Sequence, residues 1–329
     1  MKTRYLAAAF ALTIAASGGA LAQAKLKFAH VYETSEAYHT TAVWAAGEIA
    51  KRTGNRYSVE VFPASQLGKE TDINQGLTLG TVDMIITGQL FAGRNYGPIS
   101  IGGAPFVFRD FDHWKKYSTS KLFDELAAGY QKATNGNTVI ATTYYGERHV
   151  TSNKPINKPE DMKNLKIRVP DAPLYTLFPR AVGANPTPIA FAEVYLALQN
   201  KTVDAQENPL PTIEAKKFYE VQTHINLTGH ITEALLTIIG GPLWNKLSDA
   251  DKKIFTEVYR EAAVRATAEI VEAEKKLTTG FATRGKTMVK VDRKPFIAAV
   301  QKYYNDGKLP DGSALPWPKD VYDKLQAIK

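Results

Sequence analysis

Apolar and polar residues in the first third of the chain follow two periods in turn. Residues 25–29, 57–63 and 82–86 are short apolar or alternating runs, typical of strands. Residues 37–52 and 69–79 repeat apolar positions every three or four residues, which predicts amphipathic helices. The order strand, helix, strand, helix, strand predicts a parallel α/β unit.

The middle of the chain repeats this alternation with shorter elements. The pattern predicts strands at 138–145, 148–152 and 165–169, helices at 173–182 and 191–199, and a rigid turn at 185–188. Two passages also resemble each other in detail, since 76–83 and 197–204 both end a helix, turn and reach Thr-Val-Asp. We therefore expect two lobes built on one plan.

A long helix is predicted after the second unit. Ser248 is a suitable N-cap, two acids follow in the first turn, and apolar positions recur at helical spacing to about Thr283, before Gly285. At about 1.5 Å per residue such a helix is roughly 50 Å long, more than the width of one lobe. We expect it to brace both lobes, and another helix to follow near 296–305.

The N-terminus predicts export from the cytoplasm. Residues 1–22 combine a basic start, a short apolar stretch and an Ala-x-Ala ending, the features of a secretory signal peptide cleaved after Ala22 or Ala24. No later run reaches transmembrane length. The chain has no cysteine, and its net charge of +8 comes from interspersed residues rather than a basic tract. The absence of cysteine excludes disulfides, and the charge pattern disfavours nucleic-acid binding.

Motifs for catalysis and for cofactors are missing from the sequence. The chain lacks a Gly-x-Ser-x-Gly elbow, a His-Glu-x-x-His pair and glycine-rich phosphate loops, and its six histidines lack metal-ligand spacing. Glu33 and Glu36 form a carboxylate pair on a polar loop, where such acids are usually solvated. We therefore expect neither an enzyme nor a bound metal or cofactor.

Polar and aromatic residues do gather at predicted strand ends, where α/β proteins bind ligands. Arg168 ends one strand before Pro170, and its planar guanidinium suits a carboxylate, although a surface arginine is an equal reading. The other candidates are Tyr145, Arg148, Phe191, Asn208, His30 and Tyr32. Asn208 before Pro209 is also a common turn former, and Phe191 an ordinary core residue.

Four segments in fixed order resemble one known family. They are 63–68 (PASQLG), 165–170 (LKIRVP), 185–199 (NPTPIAFAEVYLALQ) and 204–209 (DAQENP). The family comprises the DctP-type extracytoplasmic solute receptors of tripartite ATP-independent periplasmic (TRAP) transporters. The resemblance implies a two-lobed periplasmic-binding-protein fold with a ligand cleft between the lobes. It divides the chain into a signal peptide (1–22), lobe I (25–145 plus 234–270) and lobe II (146–233 plus 271–329).

The resemblance also implies roles for residues of the cleft. Arg168 matches the arginine that clamps a carboxylate, Asn208 its partnering amide, Phe191 a pocket wall and Arg148 a second cationic contact. Sialic-acid receptors of the family have a glutamate where this chain has Gly88, beside Gln89. The first-lobe loop differs as well, which disfavours sialic acid. Gln89 joins His30, Tyr32 and Tyr145 among the expected ligand-binding residues.

The function implied is capture of a small organic acid, without catalysis, by a periplasmic monomer that delivers it to the membrane permease subunits of a TRAP transporter. A hydroxy or keto acid, a sugar acid and a dicarboxylate all fit. The alternatives are a periplasmic ligand sensor and, less favoured, a periplasmic enzyme acting on a carboxylic acid.

Overall fold

A computed structural model describes residues 23–329, which form nine strands in one sheet and thirteen α-helices. The strands are β1 Ala24–Ala29, β2 Tyr57–Phe62, β3 Met84–Gly88, β4 Thr138–Ser152, β5 Lys166–Val169, β6 Asn185–Pro188, β7 Ala205–Pro209, β8 His224–Ile239 and β9 Thr287–Lys290. The helices are α1 Ala37–Arg52, α2 Glu70–Leu79, α3 Gln89–Ala92, α4 Phe111–Ser118, α5 Lys121–Ala133, α6 Leu177–Ala181, α7 Val194–Gln199, α8 Leu210–Ala215, α9 Phe218–Val221, α10 Gly241–Trp244, α11 Asp249–Thr283, α12 Arg293–Asp306 and α13 Lys319–Gln326. The signal peptide expected at 1–22 lies outside the described residues.

The sheet has the order β2-β1-β3-β8-β4-β7-β5-β6, and β9 also pairs with β8. β1 is parallel to β2 and β3, and β5 is parallel to β6 and β7. Each parallel set thus comes from one of the two predicted units. The mixed α/β fold predicted from the sequence is confirmed.

Strands β4 and β8 join the two sets through one long antiparallel ladder, from Thr138 opposite Ile239 to Ser152 opposite His224. The sequence predicted two separate strands here, at 138–145 and 148–152, and that prediction is wrong. One strand runs through both segments, and its register shifts at a bulge beside Gly146. Gly146 has a φ of 124°, which glycine adopts readily and other residues rarely adopt. A Cβ at this position would lie 2.7 Å from a Pro209 side-chain carbon.

The repeated Thr-Val-Asp passages have the same geometry in both units. The Asp83 carboxylate accepts a hydrogen bond from Lys27 N (2.8 Å), and Asp83 N donates to Lys27 O (3.1 Å). Asp204 makes the same pair of bonds with Lys166, at 3.2 and 2.8 Å. In each unit the aspartate therefore ties the start of one strand to its parallel neighbour.

Two other local predictions need correction. Residues 185–188 are not a turn but strand β6, and a proline-containing strand is tolerated there because β6 lies at the sheet edge. The helix predicted at 173–182 begins as a 3₁₀ turn, Pro173–Thr176, before α6. Further 3₁₀ turns are Gly97–Gly103, Pro159–Met162 and Phe191–Glu193.

The long helix is confirmed as α11, with 35 residues and with Ser248 Oγ accepting the N-cap hydrogen bond from Asp251 N (3.1 Å). Near its start it contacts α1, where Glu261 binds Arg52 at 2.8 Å. Near its end, the Phe281 ring packs 5.6 Å from Tyr219 of α9. No helix within residues 23–329 is long and apolar enough to cross a membrane.

Candidate functional site

Arg168 lies on β5 with its side chain inside the protein, only 2% exposed. Its Nε and Nη2 both donate to Ile189 O, at 2.9 and 2.7 Å, which anchors one edge of the guanidinium to the chain beyond β6. The guanidinium carbon also lies 5.9 Å from the centre of the Phe191 ring. Backbone and ring together hold the guanidinium in one orientation.

The other edge of the same guanidinium is the unusual feature. Arg168 Nη1 is buried and has no hydrogen-bond partner among residues 23–329. Burial lowers the pKa of Arg168 to about 10, against a weaker opposing effect from Glu207. A buried donor without a partner is costly, and an anion is the partner that suits a cation best.

Arg148, on β4, is equally buried, but most of its N–H groups donate to two glutamates. Its Nη1 donates to Glu233 Oε2 (2.6 Å), its Nη2 to Glu207 Oε1 (2.7 Å) and Glu207 O (2.6 Å), and its Nε to Glu207 Oε2. Burial alone would lower the pKa of Arg148, but attraction to the two glutamates raises it well above its ordinary value. Four of its five N–H groups are therefore used by the fold.

The two glutamates differ in their surroundings. Burial favours a higher pKa for Glu207, yet Arg148 and the hydrogen bond from His230 lower it to about 2. Burial prevails at Glu233 and raises its pKa, although Arg148 and the Tyr175 hydroxyl, which donates to Oε1, both oppose the shift. Sequence reasoning missed Glu233 and Tyr175. The signal for Glu233 is a lone acid within the apolar strand β8.

Asn208 and Tyr145 meet beside this charged group. The Tyr145 hydroxyl donates to Asn208 Oδ1 (3.2 Å), and Asn208 Nδ2 donates to Gln206 Oε1 (2.6 Å). The Tyr145 ring also lies 5.7 Å from the guanidinium carbon of Arg148. The structure thus brings together three of the residues that the sequence singled out.

Glu36 is a correction to the sequence interpretation, which regarded the pair Glu33 and Glu36 as solvated. Glu36 is 4% exposed and accepts hydrogen bonds from Thr212 Oγ1 (2.7 Å) and Glu33 N (2.8 Å). Burial raises its pKa to about 7. The Thr212 hydroxyl also lies 3.2 Å from the Tyr145 hydroxyl, so Thr212 connects the loop that contains Glu36 to the site.

Four aromatic rings pack together beside Arg168 and Arg148, and we call them the aromatic wall: Tyr32, Tyr38, Tyr145 and Phe191. The Tyr32 ring centre lies 4.9 Å from Tyr38, 5.4 Å from Tyr145 and 6.2 Å from Phe191. His30 lies behind this wall, stacked 5.9 Å from Tyr32 and accepting a hydrogen bond from its backbone N–H. Burial lowers the pKa of His30 to about 3, so it is neutral and supports Tyr32.

Gly88 and Gln89 follow β3. Gly88 N donates to Glu70 Oε1 (2.8 Å), and a Cβ on Gly88 would lie 3.0 Å from the Tyr175 hydroxyl. Gln89 is buried against Gly102, and its amide has no hydrogen-bond partner in the part of the chain that the structure describes. Within residues 23–329, Gln89 makes no hydrogen bond to Arg168.

The arrangement combines a buried guanidinium that has an unpartnered nitrogen with aromatic surfaces. Within residues 23–329 no cluster of three or more His, Asp or Glu side chains is placed to hold a metal ion. The converging contacts connect Arg168 to Phe191, Phe191 to Tyr32, Tyr32 to Tyr145, and Tyr145 to Asn208 and Arg148. The chemistry they offer is the binding of a small carboxylate.

Comparison with known proteins identifies the family of this chain. A family model described as bacterial extracellular solute-binding protein, family 7 (DctP), matches residues 28–308. The chain belongs to this family. Its TRAP-receptor class and its fold, both predicted from the sequence, are confirmed.

Relatives whose name or structure includes a ligand match almost the whole chain. The sialic acid-binding periplasmic protein SiaP of Vibrio cholerae is 33% identical over 90% of this chain and 92% of its own. A TRAP periplasmic solute-binding protein from Polaromonas sp. JS666 bound to D-erythronate is 32% identical, with a TM-score of 0.86 over 93% of this chain and 99% of its own. Another, from Roseobacter denitrificans with L-galactonate bound, is 30% identical, with a TM-score of 0.85 over 93% and 98%.

Proposed function

We propose that this protein is a periplasmic receptor that captures a small organic acid anion and delivers it to the permease subunits of a TRAP transporter. The observation that carries the proposal is the buried Arg168 Nη1, which has no partner within residues 23–329. A ligand carboxylate would accept hydrogen bonds from it in a charge-assisted pair. Membership of the DctP family and relatives bound to erythronate and galactonate support the same class of ligand.

The ligand-binding residues of this proposal are divided by role. Arg168 binds the carboxylate, while Phe191 and Tyr32 cover the carbon chain. Tyr145 and Asn208 offer polar contacts. Arg148 has one N–H left for the ligand and otherwise holds Glu207 and Glu233 in place.

Binding is coupled to closure of two lobes with the bounds expected from the sequence, 25–145 plus 234–270 and 146–233 plus 271–329. Their boundaries fall beside the bulge where Tyr144 pairs with Ala234 and Gly146 with Glu233. A ligand stabilises the closed form by as much as its affinity for that form exceeds its affinity for the open one. The receptor acts as a monomer after export and releases its ligand chemically unchanged.

A thermal-shift screen of organic acids, followed by calorimetry, tests the proposal. An acid present at 100 times its dissociation constant should stabilise the protein by about 2.7 kcal/mol. Arg168→Ala should abolish measurable binding, whereas the control Arg52→Ala, which removes a surface arginine paired with Glu48 and Glu261, should leave it intact. Unchanged affinity in Arg168→Ala, or conversion of the acid during incubation, would contradict the proposal.

A further inference from the structure

Strand β4 crosses between the two proposed lobes at its bulge, and side chains from other elements bind the backbone there. The register with β8 makes Tyr145 the extra residue of the bulge, between Tyr144 and Gly146. A bulge leaves backbone groups outside the ladder, and these groups need other partners. The Tyr38 hydroxyl donates to Tyr145 O at 3.0 Å. Two further partners come from helix α11.

Helix α11 binds the bulge on both of its sides. Tyr144 N donates to Thr267 Oγ1 (3.2 Å), and Glu147 N donates to Glu274 Oε1 (2.8 Å). Thr267 and Glu274 lie about two turns apart on one face of the helix. The proposed lobe boundary in α11, between residues 270 and 271, falls between them. The helix and the strand therefore change lobe at the same place.

Glu274 also makes a contact that joins the two lobes. Its Oε2 accepts a hydrogen bond from the Tyr144 hydroxyl (3.0 Å), while its Oε1 accepts from Glu147 N. With the proposed bounds, Tyr144 belongs to lobe I, whereas Glu147 and Glu274 belong to lobe II. One carboxylate thus connects the two sides of the bulge. The approach is close, since a Cβ on Gly146 would lie 2.7 Å from Glu274 Oε1.

The contact of Glu274 with Tyr144 is present while the lobes are closed. On the ligand side, Lys216 of lobe II binds Glu33 of lobe I at 2.6 Å. Another contact between the lobes joins Arg94 to Asp171 at 3.2 Å. These contacts bring the lobes together over the candidate site.

Opening of the lobes would strain the contacts of Glu274. Rotation about the bulge changes the separation between the Tyr144 hydroxyl and Glu147 N, and hydrogen bonds weaken steeply away from their preferred distance and angle. A single carboxylate therefore reaches both donors over a limited range of lobe angles. The same three residues line a cavity of about 560 Å³ between β4 and α11, which gives the strand and the helix room to move.

We propose that Tyr144 and Glu274 are positioning residues for ligand binding, whose contact stabilises the closed form and so raises affinity without touching the ligand. This role rests on the proposed function, because it assumes that the ligand binds by closing the lobes. The Tyr144 ring packs 4.8 Å from Phe111 and 5.2 Å from Trp114, outside the aromatic wall. When the population of the binding-competent form falls, the apparent dissociation constant rises by the same factor.

Distances between spin labels on the two lobes test this role. The chain has no cysteine, so Val43→Cys and Leu196→Cys place one label on each proposed lobe, at side chains that are 49% and 59% exposed. Pulsed electron paramagnetic resonance then gives the open and closed populations, without ligand and at rising concentrations of D-erythronate or L-galactonate. In Tyr144→Phe and Glu274→Ala, the ligand-free closed population should fall. The acid concentration that closes half of the protein should rise at least about tenfold.

Thr267→Val is the matched control. It removes a hydrogen bond from α11 to the same bulge, but a bond that stays within lobe I, so half closure should need acid within about twofold of the wild-type concentration. Tyr144→Phe keeps the ring and its packing, and so tests the contact even where Glu274→Ala lowers the melting temperature. Adding Tyr144→Phe to Glu274→Ala should cause no further loss, because both changes remove one contact.

Wild-type populations and half-closure concentrations in both Tyr144→Phe and Glu274→Ala would overturn the proposed role of Glu274. An effect of Thr267→Val as large as theirs would overturn it as well. If the acids close the wild type and these variants alike, the proposed function stands and only this role fails. If neither acid closes the wild type, that result counts against the proposed function, and the ligand-free populations still decide the role of Glu274.

Discussion

Arg148 and Arg168 are the two buried arginines of the described chain, and they have opposite surroundings. Arg148 donates to two glutamates and a backbone carbonyl. Arg168 donates along one edge to Ile189 O and has an unpartnered Nη1 along the other. The pKa values follow, since carboxylates raise that of Arg148 and burial lowers that of Arg168 to about 10.

The comparison distinguishes a buried arginine that is paired within the fold from a buried arginine that still has a free donor. A buried charge paired with carboxylates belongs to the fold, and removing one partner leaves the others uncompensated. A buried charge with an unpartnered donor carries a cost in the ligand-free protein that an anion can remove. Sequence reasoning assigned both arginines to the ligand, and the structure shows that four of the five N–H groups of Arg148 already donate to Glu207 and Glu233.

The largest expected effect is on stability, from Arg148→Met. The substitution leaves Glu207 and Glu233 buried without their cation, which should lower the free energy of unfolding by about 3–5 kcal/mol. Arg168→Met should change it by less than about 1 kcal/mol, because it removes a charge whose burial is poorly compensated. Urea denaturation of both variants measures the two free energies of unfolding. Equal losses in Arg148→Met and Arg168→Met would contradict the prediction.

The pKa values of Glu207 and Glu36 shift in opposite directions, so the two carboxylates make stability depend on pH in opposite ways. The lowered pKa of Glu207, about 2, stabilises the protein above the ordinary value of 4.5, and this contribution is lost as the pH falls from there toward 2. Glu36 has a raised pKa of about 7, so its contribution is present below 4.5 and is lost as the pH rises through 7. The two effects together favour greatest stability near a pH of about 5.

The variant Glu36→Gln isolates the second effect. Glutamine keeps an acceptor for Thr212 without a charge, so the variant should be more stable than the wild type at a pH of about 8, by up to about 3 kcal/mol. Denaturation at pH values of about 5 and 8 provides the measurement. A wild-type free energy of unfolding that is the same at both pH values, or a variant whose free energy of unfolding changes with pH as much as that of the wild type, would argue against a raised pKa for Glu36.

A smaller effect is expected from Arg168→Lys. Lysine keeps the charge but cannot reproduce the planar fork that binds Ile189 O and the ligand together. Loss of one charge-assisted hydrogen bond, about 1.5–3 kcal/mol, should weaken affinity roughly 10- to 100-fold. Calorimetry measures it, and a lysine variant of wild-type affinity would mean that charge alone suffices.

The smallest effect is expected from Lys216→Met. The Lys216 ammonium is already paired with the Glu33 carboxylate at 2.6 Å, which cancels most of its attraction for a ligand anion. The dissociation constant should therefore change less than about fivefold. A loss of binding comparable to that of Arg168→Ala would show that Lys216 is the cation the ligand uses.

Much of the fold could be predicted because its signals are local. Helix α1 is read from its apolar spacing, and α11 from its apolar spacing together with its N-cap Ser248. The single strand β4 could not, since Gly146 signals a break until the ladder with β8 shows that it is a bulge. Strand β6 likewise depends on pairing with β5, a contact between segments that are distant in sequence.

The candidate site, like the fold, could be predicted from the sequence only in part. Arg168, Asn208 and Phe191 lie in motifs that a reader can recognise. The partners that decide their roles, Glu233 and Tyr175, come from other elements and have no motif. Whether an arginine is free or neutralised is a property of its three-dimensional neighbours, which a sequence does not display.

The central claim is that Arg168 contacts the carboxylate of the ligand, and a calorimetric double cycle tests it most directly. The wild type and Arg168→Lys, whose affinity should be weakened but still measurable, are each titrated with the acid found by screening and with its primary amide, which removes the ligand's charge. The account predicts a coupling energy of about 1.5–3 kcal/mol between the guanidinium and the carboxylate. A coupling energy near zero would contradict it.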